Sequence, residues 1–348
     1  MRLRLALIGF GVVGQGVAEI LRDKGRPLAD HYGAEFVLTA ISDVKKGAVA
    51  DERGLDPAAL LAWLKDHETL SGFPAAEAGW DALTTIRRSA ADVVVEASWT
   101  DVRTGGPALE YFRTCFAAGK HLVTTNKGPM VVAPFEMMEK AVGAGVEFRF
   151  EGTVMSGTPV ISTARRGLAG CTIEGFSGIL NGTTNYMLTE MEKGMSYEAV
   201  LKRAQELGYA EADPSGDVLG WDAAGKVVIL ANTVLHAPLK LDDVTITTGI
   251  TAITLDDVKA AADAGERWKL VAAARREGDK VVAEVLPRRL PLNDPLAGVM
   301  GPTNAVTFHT DLLGPVTIVG AGAGRLQTAE AVISDLLDVH RTLTERQA

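Results

Sequence analysis

A glycine-rich turn near the start of the chain constrains the fold more than any other feature of the sequence. Residues 9–14 read Gly-Phe-Gly-Val-Val-Gly, a GxGxxG pattern, between an apolar run at 3–8 and helical apolar spacing at 12–22. In this pattern Gly9 allows a tight turn, Gly11 lets a pyrophosphate approach the backbone, and Gly14 lets helix and strand pack closely. The free N–H groups that begin such a helix attract phosphate. The sequence therefore predicts a dinucleotide-binding turn rather than a glycine turn without a ligand.

Strands and helices alternate through the first 150 residues. Apolar runs predict strands at 3–8, 36–41, 92–97, 121–125 and 146–150, and helical spacing predicts helices at 12–22, 57–65, 107–118 and 134–144. This alternation is typical of a doubly wound, parallel α/β sheet of the Rossmann type. A chain of 348 residues is long enough for a second domain.

The pattern changes after residue 150. The sequence predicts a strand at 172–180, helices at 183–193, 197–207 and 217–235, strand pairs at 268–274 with 280–286 and 304–309 with 316–319, and a last helix at 326–343. We expect a dinucleotide-binding α/β domain at 1–150, completed by a C-terminal helix at 325–345. An α+β domain with an antiparallel or mixed sheet is expected at 151–324, where it would bind the substrate.

Charge and cysteine content exclude several classes of partner. The formal net charge is −9, so no nucleic acid or membrane partner is expected, because both require a basic face. No run approaches the roughly 18 apolar residues of a membrane span. Cys115 and Cys171 form no CxxC pair, which argues against a zinc site or a disulfide framework and favours a reducing cytoplasm.

Polar residues follow the predicted strands at the edge where a cofactor would bind, because ligands of open α/β sheets lie at the carboxyl ends of strands. Asp43 ends the second strand, where an acid accepts a ribose hydroxyl of NAD. The nearby Lys45 and Lys46 would instead accommodate the extra phosphate of NADP. The sequence leaves NAD and NADP both open. The residues that follow the next two strands, and are expected to face the nicotinamide, are Ser98, Thr100 and Lys127.

An acidic stretch ahead of an apolar helix forms the second candidate site. Asp217 follows a glycine and is predicted to be the N-cap of a helix that reaches residue 235. Asp222 and Lys226 are four residues apart and share a face of that helix. A surface ion pair worth about 0.3–0.5 kcal/mol is the simpler interpretation, but a helix that is apolar nearly all round is buried. Glu211 and Asp213 are expected to converge on the same cavity, giving carboxylates for a substrate ammonium and a lysine for proton transfer.

These motifs resemble those of the homoserine dehydrogenases. Residues 178–186 read GILNGTTNY, residues 125–127 read TNK, and GAGAG at 320–324 is followed by Thr328-Ala329, as in the family. The family's signature around its catalytic lysine has a fixed spacing, which the chain matches at Ala204, Gly208, Asp213-Pro214, Asp217, Gly220, Asp222 and Lys226. The resemblance covers nearly the whole chain.

The resemblance implies a reversible, NAD(P)-dependent interconversion of L-homoserine and L-aspartate 4-semialdehyde, in the biosynthesis of threonine, methionine and isoleucine. Lys226 would be the general acid or base, with Lys127 near nicotinamide and substrate. Glu211 and Asp222 would hold the amino group and hydroxyl of the substrate, and Asp217 would support them. The residues implied to contact the carboxylate side of the substrate are Gly182 and Thr183. The residues implied to line the cofactor site are Phe10, Val13, Thr100, Lys127 and Gly324.

The family also carries a monovalent cation, usually sodium, on backbone oxygens beside a glutamate. The matching stretch implies sodium or potassium at Glu151, Val154, Ser156 and Thr158, and a plain hinge between domains is the alternative. The resemblance also implies a homodimer formed through the domain at 151–324. Because the chain ends soon after the last predicted helix, we expect a monofunctional form without the regulatory domain that some members append.

Other functions share parts of this pattern. A phosphorylating semialdehyde dehydrogenase needs a cysteine thiolate, but Cys115 lies in a predicted helix and Cys171 at a strand edge without a matching motif. A dehydrogenase of another small amino alcohol and a nucleotide sensor without catalysis are further alternatives, and the complete set of acids with Lys226 argues against the sensor. Because a free lysine titrates near ~10.4 and must be neutral to accept a proton, homoserine oxidation is expected to prefer alkaline pH.

Overall fold

The first apolar run forms the centre of a seven-stranded sheet in the computed structural model, which describes residues 1–246 and 249–347. The strands of this sheet are β1 (Arg2–Ile8), β2 (Glu35–Asp43), β3 (Gly47–Ala50), β4 (Glu77–Ala78), β5 (Val93–Glu96), β6 (His121–Thr124) and β7 (Phe148–Arg149). Their order across the sheet is β4-β3-β2-β1-β5-β6-β7. The five strands β2, β1, β5, β6 and β7 are parallel, which confirms the predicted Rossmann-type α/β class.

Two antiparallel strands extend this sheet at the β2 edge. β3 pairs antiparallel with β2, and β4 pairs antiparallel with β3. Neither was predicted, because β3 has four residues and β4 has two, too few to show a period in the sequence. Antiparallel neighbours need no helical crossover, so a short turn after β2 is enough to add β3, whereas β4 joins the sheet after α2.

Helices cover the parallel strands. They are α1 (Val12–Tyr32), α2 (Pro57–Asp66), α3 (Ala82–Arg88), α4 (Gly106–Ala117), α5 (Lys127–Val132) and α6 (Pro134–Gly143), and the C-terminal helix Arg325–Gln347 joins them. The prediction that the first helix stops at Arg22 was wrong, because its later turns bury Leu28 and it continues past Pro27 to Tyr32, with Gly33 as its C-cap. α1 packs beside the C-terminal helix, where Val17 and Leu336 share one hydrophobic core. Burial of each such side chain contributes about 1.5–3 kcal/mol to the free energy of unfolding.

A second sheet follows in the chain. Its strands are β8 (Ile173–Ile179), β9 (Val244–Ile246), β10 (Glu266–Glu277), β11 (Lys280–Pro291), β12 (Thr303–Thr310) and β13 (Gly314–Ala321). The order is β13-β12-β8-β10-β11-β9, antiparallel throughout except for the parallel pair β11–β9. The predicted mixed or antiparallel sheet is therefore confirmed. Both predicted hairpins form with longer strands, and β10 and β11 are joined by the two residues Gly278-Asp279.

The helices of this second part are α7 (Val160–Ser162), α8 (Gly182–Glu192), α9 (Tyr197–Glu206), α10 (Ser215–Val218), α11 (Trp221–Val234) and α12 (Leu255–Asp263). The single helix predicted at 217–235 was wrong, because the chain breaks into α10 and α11. Gly220 stands at the break with φ +90°, and a Cβ there would lie 3.1 Å from Val285. Asp217 is consequently inside α10 and is not the N-cap of the long helix, a position that Gly220 takes.

Two compact units divide the chain. One comprises Met1–Gly157 with the C-terminal segment from Gly324, and the other comprises Thr158–Ala323. Among the described residues, no helix combines the length and apolar character needed to cross a membrane.

Candidate active site

The turn between β1 and α1 has the close contacts that its glycines imply. Gly9 has φ +97°, and a Cβ on it would lie 2.5 Å from the carbonyl oxygen of Ala97. A Cβ on Gly14 would lie 2.3 Å from the carbonyl oxygen of Gly9. A Cβ on Gly11, the N-cap of α1, would instead meet no described atom within 4 Å. The turn is therefore tight on its inner side and open at Gly11, where a phosphate has room to approach.

Asp43 fastens the end of β2 to this turn. Its Oδ2 accepts a hydrogen bond from Phe10 N (2.7 Å), and its Oδ1 accepts from Lys45 N (2.9 Å) and Lys46 N (2.8 Å). The ring of Phe10 is fully buried in the core, so only its backbone faces the turn. The side chain of Lys45 is exposed and Val13 is half-buried. Asp43 thus links the glycine turn, through Phe10 N, to the loop that follows β2, through Lys45 N and Lys46 N.

The carboxyl ends of β5 and β6 are joined by a buried acid that the sequence patterns did not reveal. Glu96 is fully buried, and its carboxylate accepts hydrogen bonds from Ser98 N (2.9 Å), Thr124 Oγ1 (3.0 Å) and Asn126 Nδ2 (3.4 Å). Burial raises the pKa of Glu96 above its ordinary value, and these hydrogen bonds oppose the shift. An acid that ends an otherwise apolar strand, as in Val-Val-Val-Glu, was the available signal.

Asn126 connects Glu96 to the loops that follow β5 and β6, where the predicted cofactor residues lie. Its Nδ2 donates to Trp99 O (3.1 Å), and its Oδ1 accepts from Gly128 N (3.0 Å), which makes it the N-cap of α5. Lys127 is therefore the first residue of α5. Lys127, Ser98 and Thr100 are all half-buried, at the edge where the parallel strands end. Gly324 lies in the same unit, where its carbonyl accepts from Thr328 N (2.9 Å) at the start of the C-terminal helix.

The acid-and-lysine cluster forms in the second unit. Lys226 is 7% exposed on α11, and its Nζ donates to Asp222 Oδ2 (2.8 Å) and to the carbonyl oxygen of Leu180 (2.6 Å). Asp217 on α10 joins them through Asn181, whose Nδ2 donates to Asp217 Oδ1 (2.6 Å) and Asp222 Oδ2 (3.0 Å). The predicted burial of this helix is confirmed, because every residue from Ala223 to Thr233 is buried.

Repulsion between the carboxylates of Asp217 and Asp222 raises the free-energy cost of holding them close together. Burial, and then the negative charge of Asp222, raises the pKa of Asp217 above its ordinary value. The hydrogen bond from Asn181, the charge of Lys226 and a hydrogen bond from Thr183 act in the opposite direction. One amide thus bonds to two carboxylates, one of which also accepts from the ammonium of Lys226, and this is the type of environment that tunes proton transfer.

The remaining residues predicted for this site lie in different places. Gly182 and Thr183 follow Asn181 directly and begin α8, and Thr183 Oγ1 donates to Tyr209 O (2.7 Å). Glu211 is exposed on the loop before α10, and its side chain makes no hydrogen bond to the cluster. Asp213 is also exposed and accepts from Ser215 N (3.0 Å). The expected convergence of Glu211 and Asp213 on the cluster is therefore not present in this structure.

The loop implied to hold a cation is strained. Met155 (φ 59°) and Ser156 (φ 58°) are consecutive non-glycine residues in the left-handed region, which costs about 1–3 kcal/mol each. Glu151 is buried, and its N–H donates to the buried Asp335 (2.9 Å). Burial and then the charge of Glu151 raise the pKa of Asp335 well above its ordinary value. Thr158 begins the second unit, where its Oγ1 donates to Ala321 O (3.0 Å).

Side-chain clusters of the usual metal-binding type are absent from the part of the chain that the structure describes: no three His, Cys, Asp or Glu side chains are grouped to hold a metal ion. Cys115 also fails the requirement for a catalytic thiolate. Cys115 is fully buried in α4, and burial raises the pKa of its thiol, which lies 3.4 Å from Lys120 O. This burial argues against the phosphorylating semialdehyde dehydrogenase.

Comparison with known proteins identifies relatives over almost the entire chain. The sequence model of homoserine dehydrogenase matches residues 159–337. The chain is 42% identical to the NAD(+)-dependent homoserine dehydrogenase of Pseudomonas canavaninivorans, over 99% of this chain and 98% of that one. The crystal structure of a putative homoserine dehydrogenase from Archaeoglobus fulgidus superposes with a TM-score of 0.87, at 39% identity, covering 97% of this chain and 99% of that one.

A second solved structure contains a cofactor. It is a hyperthermophilic archaeal homoserine dehydrogenase in complex with NADPH, with a TM-score of 0.84 and 27% identity over 98% of both chains.

Replacement of the turn glycines separates cofactor binding from folding. We expect Gly11→Ala to keep the parent's thermal stability, because its Cβ enters open space, but to lose at least about tenfold in affinity for the dinucleotide, because the methyl group occupies the approach of the pyrophosphate. Gly14→Ala should destabilise the protein itself. Thermal unfolding and cofactor titration check both; a Gly11→Ala variant that binds the cofactor like the parent would contradict the assignment.

Proposed function

The chain belongs to the homoserine dehydrogenase family, and we propose that it interconverts L-homoserine and L-aspartate 4-semialdehyde with NAD or NADP, as a step in the biosynthesis of threonine, methionine and isoleucine. The observation that carries the proposal is the bonding of Lys226. An ammonium has three N–H donors, and two of them are used by Leu180 O and Asp222. The third is available for the oxygen of a substrate.

Lys226 moves the proton in this mechanism. A dinucleotide bound at the glycine turn would supply or accept the hydride at the substrate carbon. In the reducing direction negative charge grows on the aldehyde oxygen, and the ammonium of Lys226 stabilises that charge and donates a proton. In the oxidising direction the neutral lysine accepts the hydroxyl proton. Asp222 holds the Nζ of Lys226 from one side and Leu180 O holds it from another, so the direction of the third N–H is fixed.

The substrate's own charges match the groups around Lys226. We propose that Asp222 and Glu211 hold the substrate ammonium and hydroxyl, with Asp217 maintaining the negative potential around them. Glu211 would have to turn inward from its exposed loop when substrate binds. The backbone at Gly182 and Thr183 begins α8, and a helix N-terminus favours the substrate carboxylate.

The cofactor site is proposed around the glycine turn of the first unit. The residues proposed to contact the dinucleotide are Gly9, Phe10, Gly11, Val13, Gly14, Asp43, Lys45, Ser98, Thr100, Lys127 and Gly324. Asp43, at the end of β2, would accept a hydrogen bond from a ribose hydroxyl, and the exposed Lys45 would donate to the extra phosphate of NADP. Assays with homoserine and each dinucleotide in parallel decide between NAD and NADP.

Replacement of Lys226 tests the proposed role directly. We expect Lys226→Ala to lower kcat for homoserine oxidation by roughly 10²–10⁴-fold, the usual contribution of a general acid or base, while the Kd for the dinucleotide changes little. Lys193→Ala is the matched control, because Lys193 is an exposed lysine of the same unit. Near-normal turnover of Lys226→Ala would remove this lysine from the mechanism. A parent protein inactive on homoserine with both dinucleotides would contradict the function.

We also propose a sodium or potassium ion at the Glu151 loop, held by oxygens of Glu151, Val154, Ser156 and Thr158. The buried carboxyl groups of Glu151 and Asp335 support it, because a cation offsets their mutual repulsion. The strained backbone at Met155 and Ser156 also supports it, because such strain is found at ligand-binding turns.

Cation binding should be visible as stabilisation. At about 100 times its Kd, a ligand stabilises the folded state by about 2.7 kcal/mol. We expect the Tm to rise and saturate as sodium or potassium replaces choline at constant ionic strength, and Glu151→Ala to remove this rise. The exposed Glu35→Ala is the control. An equal Tm in choline and sodium would count against the ion.

A homodimer formed through the second unit is proposed as the assembly. One face of the second sheet has a row of small side chains in register across four strands, Ala273, Ser177, Thr307 and Thr317, which suits close packing against a copy of itself. Light scattering should give twice the chain mass of 36.8 kDa, and Ser177→Arg should reduce it to one. A parent of single-chain mass would contradict the dimer. The cytoplasm is the proposed compartment, where Cys115 and Cys171 stay as thiols.

A further inference from the structure

Asn181 lies between β8 and α8, and both the oxygen and the nitrogen of its side-chain amide form hydrogen bonds. Its Oδ1 accepts from Thr184 N (2.9 Å) and Thr184 Oγ1 (2.9 Å), which caps the helix. Its Nδ2 donates to Asp217 Oδ1 (2.6 Å) and Asp222 Oδ2 (3.0 Å). Because Thr184 offers a backbone donor and the carboxylates offer only acceptors, the orientation of the amide is determined by its partners. Asn181 is buried, so water does not take over these hydrogen bonds.

The two carboxylates that Asn181 bridges come from different helices. Asp217 lies on α10 and Asp222 on α11, and their like charges repel. One N–H of Asn181 bonds to each of them. The oxygen of Asp222 that receives this hydrogen bond, Oδ2, is the same oxygen that receives the hydrogen bond from Lys226. The position of that oxygen therefore depends on Asn181 as well as on the lysine.

We propose that Asn181 is a positioning residue for the reaction: by bridging Asp217 and Asp222 it fixes Asp222 Oδ2, and through it the direction in which Lys226 presents its third N–H to the reacting oxygen. Asn181 itself touches no reacting atom. This inference rests on the proposed function, since Lys226 must be the proton-transfer group for its direction to matter.

Helix capping alone does not explain the choice of residue. Serine, aspartate and asparagine cap helices about equally well, and each offers the acceptor that Thr184 needs. Only asparagine adds two N–H donors on the opposite side of the same group. A variant that keeps the cap but loses the donors consequently separates the two roles.

Asn181→Asp is the most informative variant. It keeps the size of the side chain and the capping oxygen, but it directs a carboxylate oxygen at Asp217 and Asp222. At neutral pH we expect kcat to fall by about 100-fold, the effect of misplacing a catalytic group by about 1 Å, while the KM for the dinucleotide stays within about twofold, because the cofactor residues are untouched.

The dependence of turnover on pH distinguishes a positioning role of Asn181 from helix capping alone. The introduced carboxyl faces Asp217, Asp222 and Lys226 from α10 and α11, and Thr184 from its own helix. When it gains a proton it becomes a donor, as the amide was. The ratio of Asn181→Asp turnover to parent turnover should therefore rise as the pH falls. A role confined to helix stability does not produce that rise.

Two further variants serve as controls. Asn181→Ser keeps a capping hydroxyl and lacks any group long enough to bridge, so its kcat should fall without recovery at low pH. Ser196→Ala removes the cap of α9, where Ser196 Oγ accepts from Ala199 N (3.3 Å), and should lower the Tm with kcat unchanged. Parent-like kcat in both Asn181 variants, or an Asn181→Asp ratio that does not depend on pH, would overturn the proposal.

The pKa of Asp217 is a second readout, and it tests the Asn181 bridge independently of the proposed function. The carboxyl carbon of Asp217, assigned in ¹³C spectra with Asp217→Asn, reports its pKa without any turnover. The hydrogen bond from Asn181 lowers the pKa of Asp217, so Asn181→Ser should raise it, and an unchanged pKa would overturn the bridge. Failure of the parent to oxidise homoserine would instead contradict the proposed function, whatever the titration shows.

Discussion

Burial of charge within α11 is the constraint on which the second unit depends. The helix is buried from Ala223 to Thr233, and Lys226 lies within that stretch. A buried ammonium is costly unless it is paired and hydrogen-bonded, so Leu180 O and Asp222 must both reach it. That requirement brings the end of β8 against α11. The break at Gly220 then lets α10 turn so that Asp217 reaches the same group of side chains.

In the first unit the groups held by hydrogen bonds are acids rather than a lysine. Glu96 and Asp43 are acids at the carboxyl ends of strands, and both are held by N–H or hydroxyl donors of the loops that follow. Each acid therefore orders a loop at the edge where the dinucleotide is proposed to bind. In both units an acidic side chain accepts a hydrogen bond from an asparagine, Asn126 or Asn181, that also caps the helix that follows.

The sequence predicted those features whose cause is local. The glycine turn, the alternation of strands and helices, and the shared face of Asp222 and Lys226 follow from short-range rules. The need for glycine at the break between α10 and α11 did not, because a Cβ there would lie 3.1 Å from the distant Val285. Glu96 and Asn181 were missed as organising residues, since an acid ending an apolar strand and an N-cap asparagine show their partners only after the fold brings them together. The exposed position of Glu211 was not predicted, because loop direction has no sequence period.

Hydride transfer from homoserine is the central claim, and isotopic labelling tests it most directly. Homoserine carrying two deuterium atoms at C4 is incubated with the protein and the preferred oxidised dinucleotide, and the products are analysed by mass spectrometry and NMR. The account predicts that one deuterium per turnover appears at C4 of the nicotinamide, with slower oxidation than for unlabelled homoserine. A reduced dinucleotide without deuterium, or no reduced dinucleotide at all, would contradict it.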